Sequence, residues 1–316
     1  MTMPQILNHK ITNPDHSSEE IFSFTANARR LHGVLHLPPR GQWREAIIFS
    51  HGWSGNRCGP ADLLTELART LAEAGYAVLR FDFSGRGESE GEGLNTSLLT
   101  MADDLCAASL ALQKSLGCKK ISYLGLCSGA NVIIGTLKRL PEADKLLLLS
   151  VYPFSDGDTF ARDLNRTRHF LHIYWRKACR AETWARLVKG EVRLKQVLHV
   201  LLGPLFKRGQ NQRKEIGHGS SSKPGSGVKA AAREGRQDAL NAPRTHLRNL
   251  RPDLPLIFVY GSADPDAQPA EKYYREYAQE NKLPAVFRSL DGANHNFSSV
   301  AWRQQLKQEL LTFLQQ

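Results

Sequence analysis

The sequence predicts an α/β fold: a mostly parallel sheet flanked by helices and interrupted by one long insertion. Three observations carry that reading. Short, largely apolar runs (AIIFS at 46–50, YAVLRFDF at 76–83, ISYLGL at 121–126, KLLLLSV at 145–151, PLIFVY at 255–260) alternate with segments of helical periodicity. Runs of this kind suit strands covered on both faces, and their alternation with helices suits βαβ units. The rhythm then stops across residues 154–252, a gap far longer than an ordinary connection, and afterwards resumes.

Each element follows from its residues. Residues 20–24 and 30–37 alternate apolar and polar side chains around a turn-forming stretch at 25–29, predicting an opening antiparallel hairpin. A helix is expected over 61–74, with Leu63, Leu64, Leu67 and Leu71 on one face and Gly75 as its stop. Further helices are expected at 97–115, at 131–140, at 272–280, and in a closing segment carrying Trp302, Leu306, Leu310 and Phe313; the last strand is 285–290. Inside the gap, 158–180 and 191–206 read as helical. The second places Leu194, Val197, Leu198, Leu201, Leu202 and Leu205 in one apolar stripe. Residues 208–236 are rich in Gly, Ser, Lys, Arg and Gln and read as a flexible loop. The expected division is a core of 1–153 with 253–316 and a basic helical cap of 154–252.

Charge separates the same two parts. The net charge is +11, but residues 161–252 hold 21 Lys and Arg against 6 Asp and Glu, a net +15, which leaves −4 for the rest. A cap over the sheet edge is the first reading of the basic segment, and attraction of an anionic substrate or membrane surface is the second. Specific nucleic-acid binding is not expected, because the 208–236 loop has no interleaved aromatics. The first eighteen residues lack a signal-peptide pattern. The most apolar run, 197–206, is broken by His199, Gly203 and Pro204, so no membrane span is expected. Five cysteines (Cys58, Cys106, Cys118, Cys127, Cys179) without framework spacing suit a reducing cytoplasm. Neither a CxxC pair nor a Walker pattern occurs, and no metal or organic cofactor is expected.

The chemistry concentrates at ISYLGLCSGA, 121–130. A nucleophile on a tight strand-to-helix turn needs small residues two before and two after it. Gly125 and Gly129 meet that need around Cys127, whereas centring the turn on Ser128 would put bulky Leu126 at a flank. Alone, this pentapeptide more often marks a strand end with a buried, inert cysteine than a catalytic site. It gains weight because Asp264 (in GSADP) and His295 (in GANHNF) follow two later strands. The chain order is nucleophile, acid, base, and the chemistry needs a base to take the nucleophile's proton and an acid to hold the imidazole. Asp266 competes for the acid role, but Asp264 comes first after the glycine turn. Backbone N–H groups of Ser128 and Trp53 are the expected oxyanion donors. His51 is expected to stabilise its turn, and Arg86 to form a structural salt bridge, with contact to a substrate carboxylate as its alternative role.

With these motifs in hand, the chain resembles the α/β-hydrolase superfamily over nearly all of its length outside 155–252. HGWSGNR and FDFSGRGES are similar to segments of serine aminopeptidase-like hydrolases and feruloyl esterases. The GLCSGA elbow, which carries cysteine where those enzymes have serine, is more like dienelactone hydrolases and exosortase-associated hydrolases. The resemblance implies an α/β-hydrolase fold. It also implies hydrolysis of a carboxylic ester or thioester, on a small-molecule substrate for which the basic segment suggests negative charge. The alternatives are an acyltransferase on the same site and a catalytically silent binding protein of the same fold.

Overall fold

In a computed structural model, residues 5–93, 96–153 and 246–316 are described. Nine strands form one sheet: β1 (Gln5–Thr12), β2 (Ser18–Ala26), β3 (Arg29–Leu37), β4 (Ala46–Ser50), β5 (Ala77–Phe81), β6 (Ile121–Leu126), β7 (Ala143–Leu149), β8 (Leu256–Gly261) and β9 (Ala285–Leu290). Their order is β1-β2-β3-β5-β4-β6-β7-β8-β9. The first three strands and their junction with β5 are antiparallel, and every pairing from β5 to β9 is parallel. The expected α/β sheet is therefore present, and it is extended by β1, an edge strand the sequence reading did not contain.

The central parallel strands are mostly apolar because both faces are covered, whereas the edge strand β9 exposes Arg288 and Ser289. Along β4, Ala46 and Ile48 enter one buried cluster while Ile47 and Phe49 enter the other. Helices α2 (Leu98–Leu116), α3 (Ser128–Thr136) and α4 (Ala267–Glu280) cover the first face, and α1 (Leu63–Glu73) and α5 (Val300–Leu314) cover the second. Ser97 caps α2 in a reciprocal box with Thr100, and Gly117 ends it in the left-handed conformation that glycine adopts freely. Helix α4 starts at Ala267, ahead of the expected 272.

The described residues belong to one compact unit drawn from 1–153 and 241–316. The helices expected at 158–180 and 191–206 and the loop at 208–236 lie outside the described residues. On the other side of the gap, Leu247, Leu250 and Leu254 are buried in the same cluster as Phe258 of β8. The core thus begins again before residue 253. Among the described residues, no helix is long and apolar enough to cross a membrane.

Burial of Leu247 makes it part of the core rather than of the insertion. Leu247→Ala should lower the unfolding free energy by about 2–4 kcal/mol in urea denaturation, the cost of a core cavity. A surface residue at that position would change it by less than about 0.5 kcal/mol.

Candidate active site

Strand β6 ends in a turn that its sequence can only just make. Cys127 takes φ 57° and ψ −122°, a conformation that costs a non-glycine residue about 1–3 kcal/mol. Its N–H donates to the Leu149 carbonyl of β7 at 2.8 Å, and its own carbonyl accepts from Ala130 N at 3.1 Å. The flanking glycines are required by close approach of backbone. A Cβ on Gly129 would sit 2.1 Å from the Ser50 carbonyl oxygen, and one on Gly125 would sit 2.4 Å from Ala130 Cα. Ser50 Oγ donates to the Gly129 carbonyl at 2.9 Å, which fixes the end of β4 against the start of α3. The register centred on Cys127 is the one the structure adopts.

Asp264 lies past the end of β8 and His295 past the end of β9, and the two loops are bound together. Ala263 N donates to the Ala293 carbonyl at 2.9 Å. A Cβ on Gly261 would fall 2.3 Å from that same oxygen, so glycine lets the histidine loop lie over the acid loop. His295 Nδ1–H donates to Asp264 Oδ2 at 2.6 Å, which leaves Nε2 for the thiol. Asp266 donates its backbone N–H to Asp264 Oδ1 at 3.1 Å. The carboxylate on the imidazole is therefore that of Asp264. Ser150, at the end of β7, donates its hydroxyl to the His295 carbonyl at 2.9 Å. No sequence signal marked that contact.

Electrostatics tie the three side chains into one unit. Burial pushes the Cys127 thiol up, but hydrogen-bonding and coulombic interaction with His295 and hydrogen bonds from Ser128 outweigh it, and the net shift is downward. Burial pushes His295 down, but the bond to Asp264 and interaction with Cys127 raise it to about 10. Both groups shift against the direction that desolvation alone would impose. Attraction within the group therefore wins, and each shift favours the charged form of its own group. The N-terminus of α3 adds partial positive charge beside the sulfur.

The turn after β4 differs from expectation in two places. Trp53 N does not stand open: it donates to Ser128 Oγ at 2.6 Å. Arg86 makes no ion pair among the described residues, and its Nε is buried without a hydrogen-bond partner. Arg57 instead bridges Asp82 and Glu88 through its guanidinium, and its backbone N–H donates to Asp82 Oδ1 at 2.6 Å. His51 behaves as expected. Its Nε2 accepts from Phe83 N at 3.3 Å and its Nδ1 donates to the Gly52 carbonyl at 2.8 Å. Burial keeps this ring neutral, its pKa lowered to about 4.

The sequence profile of the alpha/beta hydrolase family matches residues 47–305, most of the chain and every residue of this site. The chain belongs to the alpha/beta hydrolase family. Its family makes it a hydrolase, and the bond it cleaves is a question for the site. A lysophosphatidylserine lipase, ABHD12 of Danio rerio, is 30% identical over 146 residues, covering 39% of this chain and 36% of that relative's length. An esterase of Pyrococcus furiosus superposes with a TM-score of 0.61 at 16% identity, covering 99% of this chain and 96% of the other. A dienelactone hydrolase of Anabaena variabilis gives 0.57 at 13%, covering 99% and 98%. At such identities these two structures speak for the fold alone.

Two measurements probe the hydrolase's elbow and its charge. Gly129→Ala forces Cβ into backbone that no rotamer change can clear, and should cost about 3 kcal/mol in thermal unfolding. Gly135→Ala is the control: its Cβ meets nothing within 4 Å, and it should be neutral or stabilising by up to about 1 kcal/mol. Alkylation of Cys127 by iodoacetamide should rise with pH through a midpoint below that of an ordinary cysteine, since the thiolate is the reactive form. His295→Ala removes the imidazolium, leaves burial unopposed, and should move that midpoint upward.

Proposed function

We propose that this hydrolase cleaves a carboxylic ester or thioester through an acyl-enzyme on Cys127. The observation that carries the reading is the sulfur on its strained elbow facing an imidazole that Asp264 holds at 2.6 Å. The Cys127 thiolate adds to the carbonyl carbon, forming a C–S bond and an oxyanion. As the oxyanion collapses, the bond to the leaving alcohol or thiol breaks and His295 gives that group its proton. Water then attacks the acyl thioester while His295 Nε2 takes a proton from it. Release of the carboxylic acid restores the thiolate and the imidazolium. Asp264 keeps its charge throughout and stabilises the imidazolium.

Within this class we infer an anionic substrate and assign residues 154–240 the part of a basic cap. Residues 161–240 hold 18 Lys and Arg against 6 Asp and Glu, a net +12, which supports this because such charge raises the local concentration of an anion. The Danio rerio relative is named a lysophosphatidylserine lipase, and lysophosphatidylserine is an anionic ester.

Intact-protein mass spectrometry after exposure to anionic and neutral aryl esters and thioesters tests the reading. Wild type should gain one acyl group, mapped to Cys127, and Cys127→Ala should gain none. Faster acylation by the anionic members, suppressed by salt, is the expected pattern. An adduct on Ser128, or undiminished hydrolysis by Cys127→Ala, would remove Cys127 from the mechanism.

A further inference from the structure

The Ser128 side chain occupies a position that a merely structural residue after the nucleophile has no reason to take. Its Oγ accepts the Trp53 N–H at 2.6 Å, so the donor expected to face a substrate oxygen already faces a hydroxyl. A hydroxyl that accepts through one lone pair still has its own proton to give. Ser128 is buried, and its backbone N–H and hydroxyl both help to hold the Cys127 thiol below its ordinary pKa. Gly52 bounds the same space: a Cβ there would lie 3.8 Å from both Cys127 Cβ and Ser128 Oγ.

We propose that the Ser128 hydroxyl, polarised from behind by the Trp53 N–H, is the second donor to the oxyanion, alongside the Ser128 N–H. The inference rests on the acyl-enzyme reading above. When sulfur adds to the carbonyl carbon, negative charge leaves the sulfur and appears on an oxygen two bonds away. Donors converging on the thiolate then need only follow the charge. No proton leaves Ser128 in either state: the O–H stays covalent and changes only the acceptor it serves. A chain N–H···O–H···O⁻ donates more strongly than an isolated hydroxyl, because each bond polarises the next. A resting plug that must swing away before substrate binds would share the 2.6 Å contact, but it would slow the reaction where the relay speeds it.

The experiment compares wild type, Ser128→Ala and Ser128→Thr, each shown by thermal unfolding to be native. Its first readout is the pH profile of Cys127 alkylation by iodoacetamide, which needs no substrate. The charged groups facing the thiol, His295 and behind it Asp264, are unchanged across the three proteins. Loss of the hydroxyl should raise the midpoint by about one pH unit in Ser128→Ala, and Ser128→Thr should restore it. The second readout is the single-turnover rate of Cys127 acylation by p-nitrophenyl acetate. It should fall about tenfold in Ser128→Ala, less than the full loss of an oxyanion donor because the freed Trp53 N–H takes over in part, and recover in Ser128→Thr. Acylation of Ser128→Ala as fast as wild type or faster overturns the relay, and so do coincident alkylation profiles. Failure of the acyl-enzyme reading has a separate signature, since Cys127→Ala would then retain hydrolysis.

Discussion

Backbone pressed on backbone at the foot of α3 is the constraint on which this structure depends. The Ser50 carbonyl would be 2.1 Å from any Cβ at residue 129, so the end of β4 and the start of the helix can meet only across a glycine. That contact puts the Trp53 turn beside the elbow and leaves Cys127 in its left-handed conformation with its N–H bonded to Leu149. The strain is maintained by the sheet: β4, β6 and β7 are parallel neighbours in one ladder, so the elbow cannot relax without shearing pairs on both sides. A conformation costing about 1–3 kcal/mol is tolerable within a core of this extent.

On this frame the charges arrange themselves. A thiol in an apolar setting would remain protonated and inert, and an imidazole there would remain neutral. Asp264 reverses both tendencies with one hydrogen bond, because a buried carboxylate makes the imidazolium favourable and the imidazolium makes the thiolate favourable. This is where cysteine in place of serine matters physically. A serine hydroxyl loses its proton only as it attacks, with the histidine taking it in the same step. In the mechanism proposed for Cys127, a cysteine paired with an imidazolium has already lost it, so the histidine begins the cycle as an acid. The demand on the oxyanion donors changes too, since charge starts on sulfur rather than arising from neutral reactants.

Much of the fold was legible because the signals are local and redundant. Runs such as AIIFS and PLIFVY are almost wholly apolar because both faces of the strand are covered; Cys127 directly follows such a run, and Asp264 and His295 lie a few residues past the ends of β8 and β9. The elbow's register followed from side-chain size at Leu126 and Gly125. What escaped the sequence depends on pairing across distance. Residues 5–12 (QILNHKIT) have too weak an alternation to announce an edge strand, and β1 forms because β2 offers it a ladder. Arg57 and Arg86 look alike in sequence, and only the folded turn shows that the first reaches Asp82. The hydroxyl of Ser128 escaped for the same reason, since nothing in Cys-Ser-Gly says that Trp53, 75 residues earlier, will point its N–H at it.

Among the described residues, bonds from within 46–153 and 256–316 tie the loops of the site to the core. His51 fixes the Trp53 turn through Gly52 and Phe83, Asp82 gathers Arg57 and the Glu88 N–H, and Ser150 holds the His295 carbonyl. Geometry for the chemical step is thus set by the sheet edge itself, before any substrate arrives, which is the condition under which fixed dipoles stabilise a transition state without reorganising. Discrimination among substrates need not come from the same residues. The core is net negative outside the basic segment, and an anion approaching it is helped only by charge supplied elsewhere. Under the proposed division of tasks, the insertion can change its composition freely while the elbow, which tolerates no Cβ at residue 129, cannot.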